Sequence, residues 1–307
     1  MTKAKTPNKK EEVTTGLVQV NHDVTLPQDL DLGADYNDQV EAEELGLKDF
    51  TMPFIKLAQS LSDELDNQHE KFIDGLKPGD VFNSVTGEFW PTSPEREAGK
   101  QAYILVVPAF VQPTYVEWTP RAKGGGFIKD HGLADGSALM DAIKAANRYD
   151  PSTGHPLLEN GNELMETTYW FSLLIEPQLI QQVLFAFQST GLSKTSRPWA
   201  SLCSNLRGPN GEKVHRAYGC YTLAPKMARN DKGRWYILKP APFKLDNGTV
   251  VTTPMLENGV DIYRRAIEFS KDVKDLLDQG VTVVPDETPE PEAPPSDECL
   301  DNDGDNF

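Results

Sequence analysis

The sequence predicts a mainly β protein with a few helices, in which a small antiparallel barrel is flanked by irregular segments. Only 38% of the 307 residues are hydrophobic, and the chain contains 23 prolines and 23 glycines, a composition that favours short strands joined by turns. Runs rich in aromatic and β-branched residues are separated by Pro-Gly, Thr-Gly and Asn-Asp-Lys-Gly turn signals. Helical periodicity is confined to a few segments.

Charge and hydropathy divide the chain into three parts. Residues 1–50 are polar and mostly acidic, so they are predicted to form a disordered acidic N-terminal arm, because too little apolar surface is available to offset the entropy of ordering. Residues 51–280 are predicted to form the folded core. Residues 281–307 are rich in proline and acids and end in Phe307, which predicts a disordered acidic tail.

The first half of the core contains most of the predicted strands. Residues 76–90 predict a hairpin, because two short apolar runs flank a Thr-Gly turn. Residues 101–120 predict one long strand or two short ones, interrupted by Pro108 and Pro113, which favour edges or bulges. Residues 167–177 and 181–191 are two further strand candidates rich in aromatic and branched side chains.

The remaining elements are three helices and one hairpin. Short helices are predicted at residues 136–149 and 197–208. Residues 217–243 predict the strongest hairpin of the chain, two strands around "NDKG". A long amphipathic C-terminal helix is predicted to start at Pro254, because apolar positions beyond it recur at steps of three and four.

The formal charge of −17 argues at first against a nucleic-acid partner, since phosphates repel an acidic surface. The distribution of the charge reverses that inference. Residues 194–244 contain eleven Lys or Arg and two acids, a net charge of +9, whereas residues 286–307 contain nine acids and no Lys or Arg. The sequence therefore predicts a basic surface on an otherwise acidic protein.

Aromatic residues are interleaved with these bases, as single-stranded nucleic acid requires, because cations neutralise phosphates and flat rings stack on unpaired bases. A small antiparallel barrel frequently hosts that combination. The alternative is that the rings fill the core and the bases only solvate a hairpin. The predicted DNA-binding residues are Lys194, Arg197, Trp199, Arg216, Tyr218, Arg229, Lys232, Arg234, Trp235, Tyr236 and Lys239.

Two further segments allow a phosphate-binding and a plain structural interpretation. Residues 189–199, "STGLSKTSRPW", place hydroxyls, Lys194 and Arg197 between a strand and a helix, where backbone N–H groups could hold a phosphate, or where the chain simply forms a polar connection. The three glycines of the "RAKGGGF" segment at residues 121–127 could clamp a strand of nucleic acid or could form a plain flexible loop. The segment lacks the GK[ST] of a P-loop and does not match GxGxxG, so nucleotide hydrolysis is not supported.

No enzymatic motif is found. The five histidines form no HExxH, HxH or HxE arrangement, and the adjacent Asp130 and His131 are a poor catalytic pair, since neighbouring residues rarely face one another. The three cysteines lack zinc-site spacing. We therefore expect no catalysis, no metal and no cofactor. A cytoplasmic location is expected, because no signal peptide or membrane-spanning segment is evident.

The layout resembles single-stranded DNA-binding proteins, especially the phage T7 type and more distantly bacterial SSB. The resemblance rests on the basic aromatic core, the Pro-rich spacer and the acidic end. The matching tail positions are Asp297, Glu298, Asp301, Asp303, Asp305 and Phe307. The resemblance implies an OB-fold barrel that binds the strand. It also implies that the tail competes with DNA and binds replication or recombination proteins, such as a polymerase, helicase or nuclease, through Asp301, Asp303, Asp305 and Phe307.

The function predicted from sequence is thus a non-catalytic single-stranded DNA-binding protein of phage replication or recombination, located in the host cytoplasm. Its oligomeric state is left open. The alternatives are an acidic protein-binding adaptor or DNA mimic and a metal-dependent nuclease. A simple solubility tail is the alternative for the C-terminus.

Overall fold

The structure, a computed structural model, describes residues 52–96, 103–230 and 233–283. The predicted acidic arm and nearly all of the predicted acidic tail lie outside the described residues. The strands are β1 (Ile55–Leu57), β2 (Val81–Asn83), β3 (Phe89–Trp90), β4 (Ile104–Trp118), β5 (Phe127–Asp130), β6 (Glu163–Ile175), β7 (Ile180–Gln188), β8 (Tyr221–Asn230) and β9 (Gly233–Pro242). The α-helices are α1 (Gly132–Ala146), α2 (Ser189–Gly191), α3 (Arg197–Ser204) and α4 (Gly259–Asp278), and a π-helical turn (Leu192–Ser196) joins α2 to α3.

The prediction of a mainly β fold with a few helices is confirmed. The strands form a three-stranded sheet, ordered β1-β2-β3, and a six-stranded sheet in which β7-β6-β4-β8-β9 lie side by side and β5 pairs with the end of β4. All the ladders within the two sheets are antiparallel. The proline-containing segment is one long strand, β4, whose register shifts between Pro108 and Phe110, because a proline cannot donate to the ladder and a bulge accommodates it.

Alternating side chains give the large sheet two buried faces. On β6, Trp170 and Leu174 pack into one core together with β1 and α3, while Tyr169 and Phe171 pack into a second core that includes residues of α4. The small sheet and α3 therefore cover one face, and α4 covers the other.

The predicted closed barrel is not observed, because the edge strands β7 and β9 are not paired with each other among the described residues. The segment before and after β1 lies between them instead. Pro53 accepts a hydrogen bond from Leu184 of β7 at 3.0 Å, and the Gln59 side chain bonds both backbone groups of Tyr236 of β9. One backbone hydrogen bond to β7, with a parallel bridge between Phe54 and Leu184, and the side-chain hydrogen bonds of Gln59 to β9 therefore lie where a continuous ladder would close the barrel.

The long C-terminal helix is confirmed, but its predicted start is wrong. Residues Thr253–Met255 form a short 3-10 turn, and α4 begins at Gly259 after Asn258, whose φ of 53° is left-handed. A Cβ at Gly259 would lie 2.1 Å from the carbonyl oxygen of Thr253. The chain therefore folds back tightly on itself at this glycine before the helix can start.

Within the described segments, no helix has both the length and the apolar character needed to cross a membrane.

Candidate nucleic-acid interface

A two-stranded ribbon projects from the large sheet. Strands β8 and β9 pair along their whole length, from Tyr221 opposite Pro242 to Asn230 opposite Gly233. Strand β4 pairs with β8 only from Tyr221 to Leu223. We call the remainder, residues 224–230 and 233–239, the cationic ribbon, because it extends past its neighbour in the sheet as far as the pair Asn230 and Gly233.

Four exposed bases lie on the cationic ribbon: Lys226, Arg229, Arg234 and Lys239. Neither β8 nor β9 contains an Asp or Glu. None of the four bases forms an ion pair with any residue that the structure describes. The ribbon is therefore a positive surface without internal neutralisation, which can attract a polyanion.

The strand register divides these bases between two faces of the ribbon. Arg229 lies directly opposite Arg234, and Met227, two positions away, shares their face. Lys226 lies opposite Ile237 on the other face, diagonal to Lys239. Lys226 is not among the residues predicted from the sequence to bind DNA, although the register of the predicted hairpin places it on the same face as Lys239.

The other predicted bases lie elsewhere. Lys194 is exposed on the π-helical turn, which contacts β9 through a hydrogen bond from Thr195 Oγ1 to the carbonyl of Leu238 at 2.6 Å. Arg197 forms an ion pair with Glu166 of β6 at 3.7 Å, and Arg216 is half-buried in a 3-10 turn. Lys232 lies outside the described residues. The structure thus places the turn that carries Lys194 against β9, but leaves Arg197 paired beside β6.

The four rings predicted to stack on bases are all buried. Trp199 has no exposed surface and stacks on Trp170 with ring centroids 4.1 Å apart and planes 3° apart. Tyr218 meets Tyr263 of α4 edge to face, and Trp235 is 8% exposed. No face of these rings is open to a base, so for them the alternative interpretation as core residues fits the structure.

Tyr236, the fourth ring, shows why the sequence pattern was misleading. It shares a strand face with exposed Arg234, yet is 4% exposed because the loop that carries Gly79 packs against its ring. Its hydroxyl donates a hydrogen bond to Glu95 Oε1 at 2.6 Å. Burial and this hydrogen bond raise the pKa of Tyr236 to about 12. Tyr236 therefore anchors the ribbon to the loops before β2 and after β3.

The adjacent Asp130 and His131 do not form a pair with each other. Asp130 accepts hydrogen bonds from the Thr114 hydroxyl and the Gly132 backbone. His131 Nε2 lies 2.8 Å from Glu117 Oε2. The other oxygen of Glu117 accepts from the amides of Asn160 and Asn162 at 2.9 and 2.6 Å. A carboxylate that is satisfied on both oxygens ties the end of β4 to a neighbouring loop, which is a structural role.

We expect Glu117→Gln to destabilise the protein at neutral pH by about 1–3 kcal/mol, because the side chains of Asn160, Asn162 and His131 lose a charged acceptor at a buried position. Burial alone would raise the pKa of Glu117, but its hydrogen bonds with Asn162, Asn160 and His131 outweigh burial and lower it from 4.5. A lowered folded-state pKa gives stability that is present above the unfolded pKa and is lost as pH falls through the folded one. Urea unfolding of both proteins between pH 7 and pH 3 measures this.

The matched control is Glu257→Gln, which removes a carboxylate at an exposed position. It should change stability by less than about 0.5 kcal/mol at every pH. An equal loss in the two variants, or a loss from Glu117→Gln that does not shrink in acid, contradicts the role of the Glu117 hydrogen bonds.

The predicted partner-binding residues belong to the C-terminal tail. The tail residues Asp301, Asp303, Asp305 and Phe307 lie outside the described residues. Across residues 52–96, 103–230 and 233–283, no group of three or more His, Cys, Asp or Glu side chains is arranged to hold a metal ion.

Comparison with known proteins identifies a phage family. A family model described as "Pam3 phage gp34-like protein" matches residues 22–276 of the 307-residue chain. No curated protein and no solved structure matches the chain. The family match includes the whole large sheet, the cationic ribbon and most of α4. The chain belongs to the Pam3 phage gp34-like family.

Proposed function

We propose that this phage protein is a non-catalytic single-stranded DNA-binding protein of replication or recombination, located in the host cytoplasm, and that the cationic ribbon is its phosphate-binding surface. The observation that carries the proposal is the set of four exposed bases on β8 and β9, which have no acid on either strand. When bases without an acidic partner bind phosphates, they release the counterions condensed on the nucleic acid, and this release favours binding. The antiparallel pairing of all strands in the large sheet supports, as part of this proposal, a relation to OB-like barrels.

The burial of the four rings changes the expected mode of binding. Without exposed stacking rings at these positions, affinity comes mainly from phosphate contacts, so it should be strongly salt-dependent and nearly independent of base sequence. The ribbon has cations on both faces. A flexible single strand can bend to place its phosphates near these cations, whereas a stiff duplex cannot.

Titration of a fluorescent oligo-dT of about thirty nucleotides with the full chain, beside a duplex of equal length, tests the proposal. We expect single-strand-selective binding that weakens as salt rises. If the full chain binds neither oligonucleotide at low salt, the proposal fails. The acidic adaptor, which the net charge of −17 favours, then becomes the better explanation and predicts salt-sensitive binding to basic proteins.

We further propose that the acidic tail competes with DNA for the ribbon and recruits partner proteins through Asp301, Asp303, Asp305 and Phe307. A chain ending at Pro285 should bind oligo-dT equally or more tightly than the full chain, because nine acids have been removed. The same truncation should abolish capture of replication or recombination proteins.

The matched control keeps the length of the tail and replaces all nine acids by Asn or Gln. It should raise oligo-dT affinity as much as truncation does. A marked loss of DNA affinity on truncation would count against the competing tail.

A further inference from the structure

Arg229 and Arg234 form a close cross-strand pair near the tip of the cationic ribbon. They lie directly opposite each other, next to Asn230 and Gly233, the last pair of the ladder. The backbone N–H and C=O of Tyr236 bond to Gln59, on the side away from β8. Because backbone direction alternates along a strand, the Arg234 groups point the same way, and Arg229 and Arg234 form a non-hydrogen-bonded pair, in which side chains approach most closely.

Like charges at directly opposite positions destabilise a pair of strands. Several other arginines of the described chain have an acidic partner: Arg96 with Asp80, Arg148 with Glu159, Arg197 with Glu166, and Arg264 with Asp261. Arg229 and Arg234 have none among the described residues, and Glu95, which bonds the ring next along their face, accepts from the Tyr236 hydroxyl. The acid nearest in sequence, Asp231, lies outside the described residues.

We infer that Arg229 and Arg234 form a fork that binds one phosphate group between their guanidinium groups. The inference rests on the proposed function for the source of that phosphate, a backbone phosphodiester of the bound strand. A planar guanidinium donates two parallel hydrogen bonds to phosphate oxygens, which the ammonium of a lysine does not match. A phosphate held by both arginines also removes the repulsion between them, so binding and ribbon stability are coupled.

A double-mutant cycle with oligo-dT tests the fork in the full chain. Arg229→Gln and Arg234→Gln should each weaken binding roughly tenfold or more, and the double variant should be only slightly weaker than either single one, because the second arginine works only with the first. The control cycle, Lys226→Gln and Lys239→Gln, should give losses that multiply. Arg229→Lys keeps the charge but cannot donate two parallel hydrogen bonds. It should therefore show most of the loss of oligo-dT affinity that Arg229→Gln shows.

A second measurement does not depend on DNA binding. Raising inorganic phosphate at constant ionic strength should raise the thermal midpoint of the full chain more than that of Arg229→Gln. Arg229→Glu creates an opposite-charge pair across the strands and should unfold at a higher temperature than the wild type without ligand, while losing the added stabilisation by phosphate.

The outcomes separate the fork from the proposed function. Multiplicative losses in both cycles, or equal phosphate shifts for wild type and Arg229→Gln, overturn the fork. Phosphate stabilisation that needs Arg229, without any binding of oligo-dT, supports the fork and rejects the single-stranded DNA function. If oligo-dT carrying a 5′-phosphate binds more tightly than the 5′-hydroxyl form only when both arginines are present, the fork takes a strand end, and the backbone assignment is wrong.

Discussion

Neutralising the cationic ribbon should weaken oligo-dT binding by roughly two to three orders of magnitude at about 0.1 M salt. The variant carries Gln at four positions: Lys226, Arg229, Arg234 and Lys239. Each single-strand phosphate contact contributes about 0.7 to the slope of log affinity against log salt, and the variant loses about three contacts, one held by the arginine pair and one by each lysine, so the combined effect is large. The four side chains are exposed and have no described ion-pair partner, so the fold should be retained. Fluorescence anisotropy at fixed salt measures the loss.

A control with the same change of charge uses exposed bases of α1 and α4. Replacing Lys144, Arg264, Lys271 and Lys274 by Gln removes four positive charges away from the ribbon. It should reduce affinity by much less, through net charge alone. Comparable losses in the two variants would show that overall charge, and not the ribbon, governs binding.

Trp199→Ala should destabilise the protein by about 3–5 kcal/mol. The ring has no exposed surface, and besides stacking on Trp170 it meets Phe185 and Tyr221 edge to face. Its removal leaves a large cavity where α3 packs on the large sheet. Neighbouring side chains in a close-packed core cannot fill a cavity of that size. Denaturant unfolding followed by far-UV circular dichroism measures the change.

Two comparisons distinguish a core ring from a base-stacking ring. Trp199→Phe keeps an aromatic side chain and should lose less than half as much stability, since the indole N–H has no partner among the described residues. Under conditions where it is folded, Trp199→Phe should bind oligo-dT like the wild type. A variant with unchanged stability and strongly reduced DNA affinity would contradict the burial of Trp199 and restore its predicted stacking role.

Local signals predicted much of this fold. Turn residues identified the β2–β3 and β8–β9 hairpins, aromatic and branched runs identified β6 and β7, and helical periodicity identified α4. These elements depend mainly on neighbours in the chain, so a single sequence suffices to find them. The start of α4 was misplaced because it depends on the close approach of Gly259 to Thr253, which no periodicity reveals.

The site was predicted only in part, because burial depends on contacts between distant residues. The alternation of side chains along β9 gives the face on which Tyr236 lies, but not its burial. Its contact with Gln59 joins positions 177 residues apart, which a local pattern cannot reveal. Trp199 is buried because α3 packs on β6, and the composition of the segment favours an exposed ring as much as a buried one. The exposure of Lys194, Arg229, Arg234 and Lys239 follows more directly from the sequence, since burying an unpaired charge is costly and keeps such residues at the surface.

The most direct test of the ribbon as a phosphate-binding surface is the salt dependence of oligo-dT affinity, measured for the wild type and for the variant with four ribbon bases replaced by Gln. A surface that releases the counterions of about three phosphates, one held by the arginine pair and one by each lysine, predicts that the slope of log affinity against log salt becomes shallower by about two in the variant. Equal slopes for the two proteins would mean that the phosphates are bound elsewhere on the molecule, and would contradict the assignment of the cationic ribbon.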